Sequence, residues 1–177
     1  GIATRGASFE AIASLPALQE LDIGSMQFAS NTLVRLTSGC RQLRVLKVDG
    51  SNVGNVAVRH ISDIEALEDL DLRECGLITD ASPLANCRKL TKLYMAHCVM
   101  LTSQPTMAAL GTLPQLKFLD VSVCQQLRDL AGLGRSSSLE RINLRATRMD
   151  DSALFEFRGR AAAHLLLQAN QQQSIIS

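Results

Sequence analysis

Tryptophan is absent from the 177 residues, aromatics make up only 3%, tyrosine occurs once, and the formal net charge is just +1. With so few large rings, an interior has to be filled by aliphatic layers, which leucine and alanine are plentiful enough to supply. The near-neutral balance gives no basis for a polyanion as the main partner, because non-specific nucleic-acid binding rests on clustered lysine and arginine. No apolar run approaches the roughly 18 residues that a membrane span needs. The opening residues Gly1, Ile2, Ala3, Thr4 and Arg5 do not have the charged-then-apolar layout of a secretory leader. The five cysteines are too few and too regularly placed for a disulfide framework, and none stands in a CxxC pair that would suggest zinc. The expectation is a chain without a membrane segment, cofactor or metal, in a reducing intracellular compartment, the cytoplasm first.

What is present is repetition. Leu67, Leu70 and Leu72 stand at i, i+3 and i+5, with Cys75 at i+8, and the pattern recurs. Aligned on the first leucine, repeats start at 18, 43, 67, 90, 116 and 139, with a weaker seventh at 162 and a partial repeat over 1–17. Intervals of about two dozen residues suit a stacked array in which each unit buries its apolar edge against the next. The inward positions at i+3 read Leu21, Leu46, Leu70, Leu93, Leu119 and Ile142, followed by Leu165 in the seventh. At i+8 stand Met26, Ser51, Cys75, Cys98, Cys124, Thr147 and Asn170. A small donor there can bond the backbone of the neighbouring turn, which a buried turn requires; Met26 cannot, so the first repeat should be looser.

The segments between strands return as helices or near-helices. Residues 8–15 open on a capping serine and end before Pro16, and residues 30–38 close at Gly39. Residues 104–110 carry Pro105 in the first turn, where a missing N–H does no harm. Residues 151–160 begin acidic and end basic, as the helix dipole prefers. The segments after Cys75 and Cys124 are shorter and should be turns or 3₁₀ pieces. Ile2 occupies a mid-repeat place and the last residues include Ile175 and Ile176, so the expectation is one repeat domain over 1–177 that is a piece of a longer chain, or whose ends other subunits cover.

These features resemble the leucine-rich-repeat superfamily over nearly the whole chain. Cys40, Arg41, Gln42, Leu43, Arg44, Val45, Leu46 and the run from Cys75 to Asp80 look like the cysteine-containing subclass, best known from the substrate-binding halves of F-box proteins. The run from Ile78 to Leu84 is also similar to bacterial internalins and to kinetoplastid repeats. Internalins keep a shorter, stricter period with Asn at i+8, so the resemblance points to the eukaryotic, intracellular kind. It implies an α/β fold: a right-handed solenoid with a curved parallel sheet on the concave side and helices or 3₁₀ turns on the convex side.

In that geometry, residues at i+2, i+4, i+6 and i+7 face the concave side. Tyr94 then points outward beside Phe118 and His97, rimmed by Asp69, Asp71, Arg73, Asp120 and Arg145, the composition of an interface hot spot. The seventh repeat would place His164 at i+2 and Leu166 at i+4. The expectation is a non-enzymatic scaffold that binds a protein or peptide through Tyr94, Phe118 and His97, with Asp69, Asp71 and Asp120 selecting basic side chains. Two alternatives stand beside it: the substrate-recognition part of an F-box ubiquitin ligase, and an RNA-contacting structural subunit of a ribonucleoprotein. Cys75, Cys98 and Cys124 face inward while His97 faces out, which argues against both a shared metal and a Cys–His nucleophilic pair.

Overall fold

The structure is a computed structural model that describes residues 9–27, 32–150, 152–153 and the backbone of 166–168. Its centre is a seven-stranded parallel sheet in strict sequence order. The strands are β1 (Glu20–Asp22), β2 (Val45–Lys47), β3 (Asp69–Asp71), β4 (Lys92–Tyr94), β5 (Phe118–Asp120), β6 (Arg141–Asn143) and β7 (Leu166–Gln168). Each middle residue pairs with the next middle residue, so Leu21, Leu46, Leu70, Leu93, Leu119, Ile142 and Leu167 form one row. From Leu46 to Ile142 this row is at most 1% exposed, as the inward spacing requires.

The row corrects the sequence reading at one place. Leu166 pairs with Arg141 and Leu167 with Ile142, so the seventh strand lies two residues later than a repeat starting at 162 would put it. Leu166 therefore takes the i+2 place expected for His164, and Gln168 the i+4 place expected for Leu166. His164 itself, Asn170 and most of the helix expected over 151–160 lie outside the described residues.

The return side carries α1 (Phe9–Ala13), α2 (Thr32–Gly39), α3 (Asn55–Ile61) and α4 (Thr106–Leu110), with 3₁₀ turns at Ser82–Asn86 and Leu133–Arg135. Repeat length decides which form appears. From β1 to β2, β2 to β3 and β4 to β5 the middle residues lie 25, 24 and 26 apart, and an α-helix fills each return. From β3 to β4 and β5 to β6 they lie 23 apart, and a 3₁₀ turn fills it. A 3₁₀ turn rises about 2.0 Å per residue against about 1.5 Å in an α-helix, so fewer residues cover the same path. Pro105 stands just before α4, at its N-cap, rather than inside the first turn. Glycine permits the close packing of this layer: a Cβ on Gly39 would fall 1.9 Å from the Ala13 carbonyl oxygen, and one on Gly132 would fall 2.3 Å from Ala108 Cα.

The strands β1 to β6 each leave the sheet through the same corner. Ser25, Gly50, Glu74, His97, Val123 and Ala146, all at i+7, have φ between 55° and 61°. Only one of the six is glycine, so the left-handed turn is held by its surroundings rather than by local freedom. The next residue inward supplies part of that hold. The thiols of Cys75, Cys98 and Cys124 donate to the carbonyls of Val48, Leu72 and Met95 in the preceding repeat at 3.4, 3.2 and 3.1 Å. Ser51 and Thr147 donate instead to Val48 and Leu144 of their own repeats. The return side is stitched in the same way: Asn55 Oδ1 accepts the Thr79 and Asp80 amides at 2.9 and 3.2 Å, and Ser103 Oγ accepts those of Arg128 and Asp129 at 2.7 and 3.1 Å.

Candidate partner-binding face

The outward rows follow from the register. Glu20, Val45, Asp69, Lys92, Phe118 and Arg141 are paired neighbours in one row, and Asp22, Lys47, Asp71, Tyr94, Asp120 and Asn143 in the other. Tyr94 and Phe118 lie on adjacent strands, half-buried, with ring centroids 5.1 Å apart and planes tilted by 49°. The Arg73 guanidinium sits 5.9 Å from the Tyr94 centroid, within cation–π range. The aromatic pair and Arg73 thus meet on the face as expected.

The acidic residues are engaged within the chain. Asp71 is 4% exposed; it takes the Arg73 backbone N–H at 3.0 Å and holds the same guanidinium through Nε and Nη2 at 2.9 and 2.5 Å. That hydrogen bond raises the Arg73 pKa further and fixes its charge. Asp120 takes the Ser122 N–H at 2.9 Å, the Ser122 hydroxyl at 2.7 Å and the Asn143 amide at 3.2 Å. Asn143 and Asp22 accept the amides two residues on, Arg145 at 3.2 Å and Gly24 at 3.4 Å. Asp or Asn at i+4 therefore shapes the approach to the left-handed corner, an Asx turn repeated along the array. The signal was present in the sequence as the recurrence of Asp and Asn at that position. Asp69 lies 3.7 Å from Lys92.

His97 is exposed at the corner of its repeat, its N–H donating to the Ser122 carbonyl at 2.9 Å, and it does not line the concavity beside Tyr94. Arg145 is exposed as well. The concavity itself opens on the other flank. A groove of about 1470 Å³ runs over three repeats along the edge where the strands begin, with Tyr94 and Phe118 on its wall and Lys92, Lys117, Glu140 and Arg141 around them. Pro114, Gln115, Ser137 and Ser138 complete it. These belong to the connecting segments, whose path the leucine spacing leaves open. A second, smaller concavity of about 270 Å³ lies at β1 against Ile12, Leu15 and Leu18.

Among the described residues no group of three or more His, Cys, Asp or Glu is placed to hold a metal ion, and no helix is long and apolar enough to cross a membrane. The five cysteines are free and buried. Burial pushes the Cys87 and Cys124 thiols up to about 12 and raises those of Cys98, Cys75 and Cys40 as well, so they are poor nucleophiles.

No family model and no curated protein matches the chain. Solved structures do. Internalin C2 from Listeria monocytogenes superposes with a TM-score of 0.67 at 24% identity, covering 92% of this chain and 68% of that one. An internalin, InlF, from the same organism gives 0.66 at 19% identity, covering 93% of this chain and 51% of that one. The fold is a leucine-rich-repeat solenoid. It is right-handed, with the curved sheet concave and the helices and 3₁₀ turns convex. Both solved structures are internalins. The likeness therefore establishes the repeat fold and does not reach the cysteine-containing subclass.

Proposed function

We propose that this leucine-rich-repeat chain is a non-enzymatic protein-interaction scaffold that engages its partner on the concave face at Tyr94 and Phe118. The observation that carries the reading is the aromatic pair, 5.1 Å apart on adjacent strands and on the wall of a groove of about 1470 Å³. Half-buried aromatics with a charged rim are the usual anchors of interfaces. His97 and Arg145 stand at the margin of this site, while Asp71 holds Arg73 beside the Tyr94 ring and Asp120 holds the Ser122 turn. Five free, buried thiols suit a reducing compartment and support grouping the chain with the cysteine-containing repeats.

The test is proximity cross-linking of the intact chain in native extract, followed by affinity measurement on the protein recovered. Alanine at both Tyr94 and Phe118 should weaken that complex by more than about 2 kcal/mol, roughly thirtyfold. Serine at Val56 and Leu77, which are 61% and 63% exposed, should leave it intact. The opposite pattern would move the interface off the concave face.

A further inference from the structure

The groove beside the aromatic pair has a charge of its own. Lys92, Lys117 and Arg141 line it against a single lining carboxylate, Glu140. Lys117 lies 3.2 Å from Glu140, and Lys92 lies 3.7 Å from Asp69 on the neighbouring strand. Arg141 is exposed, pairs in register with Phe118, and among the described residues takes part in no ion pair. A planar guanidinium with five donors, in no ion pair among the described residues, can take a carboxylate, and the ring beside it can take an apolar side chain.

We propose that the groove receives a short acidic segment of another protein, an apolar or aromatic side chain seated against Phe118 and Tyr94 and a flanking carboxylate on Arg141. The proposal rests on the scaffold reading and adds the chemistry of the occupant. Charge complementarity selects it. A basic segment would meet Lys92, Lys117 and Arg141 together. A phosphate backbone would run into Asp69, Asp71 and Asp120 on the adjoining face, and carboxylates there would repel a polyanion that extends beyond the groove. Strands about 4.8 Å apart make the span from β4 to β6 about 10 Å, the reach of three or four extended residues. A short linear segment is therefore enough to touch both Tyr94 and Arg141.

A display library of random twelve-residue linear peptides selected on the intact chain tests this. The enriched peptides should carry two or more Asp or Glu around a Phe, Leu or Ile. A synthetic representative should lose at least tenfold in affinity for Arg141→Glu and for Phe118→Ala, each checked for an unchanged thermal midpoint, and should keep its affinity for Arg128→Glu on the return side. No enrichment, enrichment of basic or uncharged peptides, or equal binding by Arg141→Glu would overturn the proposal. So would a uridine oligonucleotide that binds in an Arg141-dependent way where the peptides do not. If none of the peptides binds while alanine at Tyr94 and Phe118 still abolishes the cross-linked complex, the scaffold reading stands and the acidic occupant falls.

Discussion

The outward faces of β1–β3 and of β4–β6 share one backbone register and differ in how they use charge. Over the first three strands, the rows at i+2, i+4 and i+6 carry Glu20, Asp22, Asp49, Asp69 and Asp71 against Lys47 and Arg73. Much of that charge is engaged within the face: Lys47 with Asp22 at 3.6 Å, Arg73 with Asp71 at 2.5 Å, and Asp69 with Lys92 across the boundary. Over the next three, Lys92, Arg141 and Arg145 stand with Asp120 alone, and Asp120 is occupied by Ser122 and Asn143. Arg141 and Arg145 take part in no ion pair among the described residues, and Phe118 pairs in register with Arg141. The difference teaches that identical strands can spend polar side chains on their own turns or leave them for a visitor. Substitutions in the first half should register as stability, and substitutions in the second as binding.

The largest effect should come from breaking what both halves share. Leu93 is fully buried between Leu70 and Leu119, so Leu93→Asp places an unpaired carboxylate in a dry aliphatic row. The cost should exceed about 4 kcal/mol, and urea unfolding followed by circular dichroism should show the cooperative transition lost. A Leu93→Asp chain that still unfolded cooperatively near the parent midpoint would mean that the halves do not lean on a common interior.

Next in size is the acidic half's own turn. Asp71→Ala strips the acceptor from the Arg73 backbone N–H and guanidinium, and should cost about 1–3 kcal/mol in urea unfolding. Asp71→Asn should cost less, because an amide oxygen can still accept the backbone N–H. Arg141→Ala should leave the midpoint where it was while weakening partner binding. If Asp71→Ala affected binding alone, the division between the halves would be wrong.

The interior of this division was legible in the sequence, because an aliphatic residue at i+3 recurs with nothing to compete with it. It failed at the seventh repeat for a specific reason. Residues 161–167 read Ala, Ala, Ala, His, Leu, Leu, Leu, a run without alternation, and a slip of two residues keeps every side chain on the same face. Leu165 and Leu167 were thus equally good inward residues by pattern, and only pairing with Ile142 selects Leu167. The choice between α-helix and 3₁₀ return was legible in part, through repeat length. The groove was not, because Pro114, Gln115, Ser137 and Ser138 lie in connections whose course depends on how each return packs. His97 was expected beside the aromatic pair from its i+7 place, next to the outward i+6 residue, whereas its φ of 61° sets it at the corner of the repeat.

The shared interior also has a chemical handle. The thiols at i+8 of the third, fourth and fifth repeats are buried, and that burial holds Cys124 up to about 12 against an ordinary 9.0, with Cys75 and Cys98 raised too. Well below pH 9 the thiols are protonated folded or unfolded and contribute no pH dependence. Between about 9 and 12 the unfolded chain loses the Cys124 proton that the folded chain keeps, so stability falls with rising pH, by up to about 1.4 kcal/mol per pH unit from this thiol. Urea midpoints measured from pH 8 to 11 should decline, with both halves melting in one transition. Replacing Cys124 by Ala should flatten the decline. A decline that Cys124→Ala left unchanged would assign it to other groups.

The smallest effect belongs to Arg145. Its backbone N–H is held by Asn143 Oδ1 at 3.2 Å, a contact that alanine at this position keeps, while its side chain is exposed and outside the groove. Arg145→Ala should therefore move the urea midpoint by less than about 0.5 kcal/mol. Its effect on an acidic partner should lie in the association rate and fade with added salt, because a charge at the rim steers an encounter more than it holds a complex. Arg141, on the groove wall, should act mainly on dissociation instead. Stopped-flow measurements on the two variants at low and high salt separate the roles. Equal, salt-insensitive losses in dissociation at both positions would place Arg145 inside the binding surface and extend the basic half to its corner.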